Sequence, residues 1–157
     1  MKDWVSVAAA TAGLVMVLTG CGPQSEAHDL TRKDIVGVWS LQADRSDATI
    51  SMNEDGTFVA RSWPENLLCQ ETGALKVDDL EWENLSTIHG TWQSGEDFPY
   101  LLFLTSDEES CGNASWIFKV WEFGENDFRF QVFLDGVRDP EAAGDDQSVW
   151  ISKVPAD

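Results

Sequence analysis

Residues 128–134 read FRFQVFL, and this stretch decides the fold class. Every even-numbered position in it is apolar, and Arg129 and Gln131 stand between them. A repeat of two is the period of a β-strand, whose successive side chains point to opposite faces. The stretch therefore predicts a strand whose even-numbered side chains face the protein core.

A second strong signal is a hairpin turn in the N-terminal half. The tetrad NEDG at residues 53–56 separates two alternating runs, and Asp-Gly between such runs is typical of a tight β-turn. The predicted strands, with 128–134, lie at 37–42, 49–52, 57–61, 87–93, 100–105, 115–123 and 148–154. An all-β domain of about eight antiparallel strands follows, either a small closed barrel or a compact sandwich.

Two segments lack this alternation. Residues 30–36 can form one or two helical turns, with Thr31 as the N-cap. The insert at 64–83 contains a proline, a glycine and an acidic run, and it predicts a long loop with a short helix at most.

The charge balance is strongly acidic. The chain of 157 residues holds 28 Asp+Glu against 10 Lys+Arg, a formal net charge of −18. Such a surface cannot neutralise a run of phosphates, so the composition argues against nucleic-acid binding and favours a basic protein partner. Three cysteines and two histidines are too few for a multi-ligand zinc site. The acidic stretch 135–146 leaves calcium open as an alternative, but it lacks the EF-hand spacing and Arg138 interrupts it, so we expect no metal and no cofactor.

The N-terminus carries an export signal. Residues 4–18 form an uncharged apolar run, too short for a membrane span and typical of a signal-peptide core. The following LTGC at 18–21 resembles the bacterial lipobox, which implies cleavage before Cys21 and a lipid on its thiol. An ordinary secretory signal or an uncleaved anchor are the alternatives. The predicted organisation is a lipoprotein signal peptide at 1–20, a polar tether at 21–31 and one domain at 32–157, lipid-anchored on the extracytoplasmic face of the cell membrane.

Two cysteines remain beyond Cys21. In an oxidising compartment an even pair is most often a disulfide, so we expect Cys69 and Cys111 to be bonded, on loops at one end of the fold. A catalytic thiol would need a positioned histidine. His89 is the one candidate, and its strand-like neighbours favour a packed imidazole.

The tripeptide Gly-x-Trp occurs at 37–39 and 90–92. The first copy resembles the motif on the first strand of lipocalin-like barrels, whose indole closes one barrel end. The order of motifs, with DGTF at 55–58, Pro64, the aromatic strand at 128–134 and Asp-Pro at 139–140, resembles a group of small actinobacterial lipoproteins of undefined function. That resemblance covers most of 34–153 and implies a small β-barrel-like lipoprotein domain.

The sequence contains no convergent set of acid, base and nucleophile, so we expect a binding protein and not an enzyme. Three tryptophans fall in predicted strands and are expected to lie largely buried in the core: Trp39, Trp92 and Trp150. Trp63 and Trp82 fall in predicted loops, where either could contact a ligand or lie buried beneath the loop. The ligand would be a small apolar molecule in the barrel or an envelope or extracellular protein on its surface. The alternatives are a hydrolase that acts on cell-envelope material through a carboxylate pair, and an acidic inhibitory or structural lipoprotein.

Overall fold

The structure is a computed structural model that describes residues 25–42, 47–69, 73–95, 98–108, 111, 115–124, 127–139 and 142–155. Within these ranges the regular secondary structure is mostly β-strand. The strands are β1 (Ser25–Glu26), β2 (Gly37–Leu41), β3 (Thr49–Met52), β4 (Thr57–Pro64), β5 (Leu85–Ser94), β6 (Leu101–Ser106), β7 (Ser115–Glu122), β8 (Phe128–Phe133) and β9 (Ser148–Lys153). The helices are α1 (Arg32–Ile35) and α2 (Glu65–Leu68), and two 3-10 turns span Val77–Asp79 and Asp145–Gln147.

Strands β2 to β9 form a closed antiparallel barrel. Each strand pairs with the next along the chain, and β9 closes the sheet by pairing with β2 in the register Trp39↔Lys153. The all-β prediction is confirmed, and of its two forms the structure is the barrel. This architecture is compatible with a lipocalin-like fold.

The antiparallel order gives the barrel two distinct ends. The α1 end carries α1, the turns after β3, β5 and β7, and the segment after β9. The disulfide end carries the loops after β2, β4, β6 and β8.

Side chains fill the interior of the barrel. Trp39 is fully buried and stacks on Phe130 with ring centroids 3.7 Å apart, and its indole N–H donates to the Ile35 carbonyl at 2.8 Å. This bond ties α1 to the first barrel strand and closes the α1 end. In the described ranges, the other fully buried large side chains are Trp63, Phe58, Phe118, Ile35, Ile50, Met52, Ile88, Leu102, Leu104 and Ile151.

The second Gly-x-Trp motif has a steric cause. A Cβ atom on Gly90 would lie 2.1 Å from the Thr105 carbonyl oxygen and 2.7 Å from the Phe58 ring. Only glycine lets β5 approach β6 this closely while Phe58 covers it from inside. Trp92, two residues further on, is buried as predicted and donates its indole N–H to the Asn53 carbonyl at 3.1 Å.

The inward face of β8 confirms the alternation of residues 128–134. Phe130, Val132 and Leu134 are buried, and Phe128 is partly buried against the core. The expectation that Trp150 is buried is wrong. Its neighbours Val149 and Ile151 face inward, so Trp150 lies half-buried on the outer wall, where it meets Phe123 edge to face.

The placement of Trp63 also corrects the sequence analysis. Trp63 belongs to β4 and not to a loop, and it is fully buried with its indole N–H donating to the Thr49 carbonyl at 2.7 Å. A bulge between Ala60 and Trp63, with Ser62 at φ 57°, adds one residue to β4 and resets its alternation. The bulge turns Trp63 inward, so of the two alternatives for this residue the structure shows burial, within a strand and not beneath a loop.

Part of the segment predicted to be a polar tether, residues 21–31, lies against the barrel. Ser25 and Glu26 form β1, which pairs with Glu122 and Trp121 of β7, and Ala27 is buried. The predicted helical turn is present as α1, and the Asp34 carboxylate accepts hydrogen bonds from the N–H and hydroxyl of Thr31. The chain is therefore fixed to the barrel from Ser25 onward.

Candidate functional site at the disulfide end

A disulfide joins two loops at one end of the barrel. Cys69 follows α2, Cys111 follows β6, and their sulfurs are bonded with the Cα atoms 4.3 Å apart. The predicted pairing and its position at one end of the fold are both confirmed. Cys111 is buried, so the bridge is part of the packing beneath the loops.

A small cleft lies beside the disulfide. It has a volume of about 170 Å³ and is lined by both cysteines, Glu65, Ser86, Thr87, Ile88 and Glu108. The Ser86 hydroxyl oxygen is buried, and in the part of the chain that the structure describes it has no hydrogen-bond partner. The cleft thus combines two carboxylates and an inward hydroxyl with the apolar disulfide and Ile88, so an apolar molecule bound there would also desolvate carboxylates.

Trp82 lies at a second and wider cleft of the same end. The cleft has a volume of about 550 Å³, and its walls are Asp78, Leu80, Glu81, Trp82, Glu83 and Asn84. Trp82 is half-buried and packs partly against the core, while Glu81 and Glu83 on either side are exposed. An indole between carboxylates is suited to a cationic side chain, which is attracted both to the ring face and to the charges.

A buried amide holds this cleft in shape. Asn66 of α2 is 6% exposed, donates to the Asp79 carbonyl at 2.8 Å and accepts the Glu81 N–H at 3.0 Å. The segment that carries Trp82 is therefore fixed to α2, and α2 is fixed through Cys69 to the loop after β6. The sequence analysis did not identify Asn66, because an isolated asparagine in a polar insert gives no periodic signal.

The disulfide end is strongly acidic. Its cationic side chains in the described ranges are Arg61, Lys76 and Arg138. Its carboxylates in the same ranges are Asp47, Glu65, Asp78, Asp79, Glu81, Glu83, Asp107, Glu108, Asp135, Asp139, Asp145 and Asp146. Lys76 forms an exposed ion pair with Asp146 at 2.7 Å, and this hydrogen bond lowers the pKa of Asp146 and raises that of Lys76. The excess of carboxylates makes the end attractive to cations.

In the described part of the chain, His89 and Ser86 lie on opposite faces of β5. His89 is exposed on the outer wall of β5, so the expectation of a packed imidazole is wrong, and Ser86 on the same strand faces inward. Among the described residues, no group of three or more His, Cys, Asp or Glu side chains is placed to hold a metal ion.

The disulfide end carries both tryptophans that were candidates for binding, Trp63 and Trp82, together with the Cys69–Cys111 bridge. Of the two tryptophans, only Trp82 is partly accessible.

Cys21 lies outside the described residues. In the described ranges, no helix has the length and apolar character of a transmembrane helix. Comparison with protein-family models, with curated proteins and with solved structures found no match to this chain.

Proposed function

We propose that this chain is a lipoprotein held on the extracytoplasmic face of the cell membrane through Cys21, and that its disulfide end binds a basic protein partner. In this proposal the domain is a binding module of the kind that its sequence resembles, a small actinobacterial-type lipoprotein. The observation that carries the choice of partner is the filled barrel interior together with the acidic clefts at one end.

The packing of the interior argues against a small apolar ligand as the partner. Trp39, Phe58, Phe118 and Phe130 are all fully buried and occupy the space where a lipocalin-like barrel would hold a ligand. Entry of a ligand would require these rings to leave rotamers fixed by their mutual contacts, at a cost of several kcal/mol for each displaced ring. A partner that binds outside the barrel avoids that cost.

The charge and shape of the disulfide end argue for a cationic protein surface. Asp78, Glu81 and Glu83 surround the Trp82 cleft, so a lysine or arginine side chain inserted there would meet both the indole and the carboxylates. Because the disulfide and Asn66 fix the loops before binding, little conformational entropy would be lost on association. Exposed charges of this kind act over a Debye length of about 10 Å at 0.1 M salt, so binding is expected to weaken as salt is added.

Zero-length carbodiimide crosslinking in the producing host tests the proposal, because it joins carboxylates to the lysine amines of a bound protein. We expect the crosslinked peptides to contain residues 78–83 and lysines of one recurring partner. Trp82→Ala should reduce this yield at least tenfold, which corresponds to about 1.4 kcal/mol. The matched control is Trp150→Ala, which removes a half-buried indole from the outer wall and should leave the yield unchanged.

Charge-neutralising variants separate the proposal from its rivals. Asp78→Asn with Glu81→Gln and Glu83→Gln should lower the yield, whereas Asp29→Asn with Glu54→Gln and Glu122→Gln removes as many charges near the α1 end and should not. Equal losses in the two triple variants would contradict a defined binding end. Turnover of cell-envelope material that is lost in Glu65→Gln or Glu108→Gln would show instead that the protein is a hydrolase.

A further inference from the structure

We infer that the barrel stands with its α1 end against the lipid bilayer, so that apolar side chains of this end contact the interfacial region of the membrane. The inference rests on the lipid anchor at Cys21 proposed above. It adds an orientation and a second contact surface, neither of which follows from the presence of an anchor alone.

The length of chain between Cys21 and Ser25 limits how far the barrel can lie from the lipid. Ser25 is paired with Glu122 at the α1 end, and Cys21 precedes Ser25 by four residues. A fully extended chain spans at most about 3.5 Å per residue, so four residues reach about 14 Å. A tether that extended to residue 31, as the sequence predicts, would leave the domain free to turn in any direction. With β1 attached to β7, the α1 end is held within that short distance of the lipid.

The surface that the α1 end presents also supports this orientation. Val38 is 43% exposed, Phe98 is 52% exposed and Val154 is 42% exposed, and all three belong to this end. Val38 and Val154 line a groove of about 830 Å³ together with Val36, Phe128 and Pro155. Phe98 and Tyr100 form an edge-to-face aromatic pair in the turn after β5, at the same end of the barrel. Aliphatic and aromatic side chains of this kind favour the boundary between headgroups and acyl chains.

The charges of the α1 end suit a zwitterionic interface. In the described ranges its cations are Arg32, Lys33, Arg129 and Lys153, and its carboxylates are Asp29, Asp34, Glu54, Asp55, Glu122 and Asp127. This carboxylate excess is small, and a zwitterionic surface, which has no net charge, does not strongly repel it. The larger carboxylate excess lies at the disulfide end, which this orientation turns away from the bilayer.

Two other exposed apolar side chains show why the ends are not equivalent. Leu75 and Leu85 are 57% and 47% exposed at the disulfide end. They stand among the carboxylates of that end, so burying them in lipid would also desolvate those charges. Leu75 therefore serves as the internal control for the membrane contact.

Site-directed spin labelling of the lipidated mature chain in phosphatidylcholine vesicles tests the orientation. Nitroxides would be attached in turn to Val154→Cys, Phe98→Cys and Leu75→Cys, with the native disulfide intact. Collision with oxygen, which partitions into lipid, is compared with collision with a water-soluble nickel chelate. We expect the oxygen-to-nickel ratio at positions 98 and 154 to rise severalfold on reconstitution and the ratio at position 75 to stay at its value in solution.

Two outcomes would overturn the inference, and they are distinguishable. If the mass of the mature chain includes the lipid and all three labels report equal access to the nickel chelate, the orientation is wrong while the anchor stands. If the mass shows no lipid on Cys21, the anchor and the orientation fail together. All three labelled positions are exposed, and circular dichroism identical to that of the unlabelled chain establishes that each variant folds.

Discussion

Replacing Trp39 by alanine should be the most damaging single truncation in the barrel. The indole is fully buried, stacks on Phe130 at 3.7 Å and donates its N–H to the Ile35 carbonyl at 2.8 Å. Its loss removes the ring that closes the α1 end and the bond that attaches α1 to β2. Few positions in the described part of the chain combine full burial, ring stacking and a side-chain hydrogen bond.

The magnitude follows from those contacts. Truncation of a buried tryptophan costs about 3–5 kcal/mol, because transfer free energy is lost and a cavity remains. Trp39→Phe keeps an aromatic ring against Phe130 but leaves the Ile35 carbonyl without its donor, which costs about 1–3 kcal/mol. Phe98→Ala removes an aromatic ring that is 52% exposed and should cost about 1 kcal/mol or less.

Urea unfolding followed by tryptophan fluorescence and circular dichroism measures the three variants. With a slope of about 2 kcal/mol per molar urea, Trp39→Ala should lower the midpoint by about 2 M and Trp39→Phe by about 1 M. If the alanine variant does not fold, the phenylalanine variant still tests the argument. A loss for Trp39→Phe no larger than that for Phe98→Ala would refute the claim that the Ile35 hydrogen bond closes the barrel.

Two further predictions concern the disulfide and the acid response. The Cys69–Cys111 bond closes a loop with a sequence separation of 42. Its reduction should lower the free energy of unfolding by about 4 kcal/mol in the chain-entropy model. A thermal melt unchanged by reductant would contradict this expectation. Hydrogen bonds from the Thr31 hydroxyl and N–H hold the pKa of Asp34 below its usual range. The stability that the Asp34 carboxylate contributes is therefore fully present above the unfolded pKa of about 3.9, and it is lost as the pH falls through the lower pKa of the folded state. Asp34→Asn should therefore show a shallower loss of stability than the wild type between about pH 5 and pH 2 in urea titrations, and parallel curves would argue against the Thr31 bonds.

Much of the barrel could be predicted from residues that alternate strictly. In β8 the polar residues Arg129 and Gln131 leave one face for the core, and the structure uses that face. The same alternation applied to β9 places Trp150 on the outer face. Val149 and Ile151 are both inward aliphatic side chains, and together they fix the register of β9, so the indole between them points outward.

The positions that escaped prediction depend on contacts distant in sequence. The bulge at Ser62 lies near the end of β4, on the disulfide side of the barrel. No residue in the sequence RSWP at 61–64 indicates that Ser62 takes a left-handed conformation. Likewise β1 has only two residues, too few for any periodic signal, and it exists because β7 extends beyond β6 and leaves a free edge. The Trp82 cleft requires Asn66, whose partners lie more than ten residues away along the chain.

The topology itself separates the two proposed surfaces. The eight barrel strands run antiparallel and begin with β2 at the α1 end, so the last strand, β9, must also end there. Strand β1 lies at the same end because it pairs with the end of β7. The turns at that end are short, as between Met52 and Thr57, whereas the connections from Pro64 to Leu85 and from Phe133 to Ser148 at the other end are long. Long connections can carry clefts and excess charge without disturbing the hydrogen bonds of the barrel. If Cys21 carries the lipid, the end with the longest and most acidic loops is the one farthest from the membrane, where a basic protein can reach it.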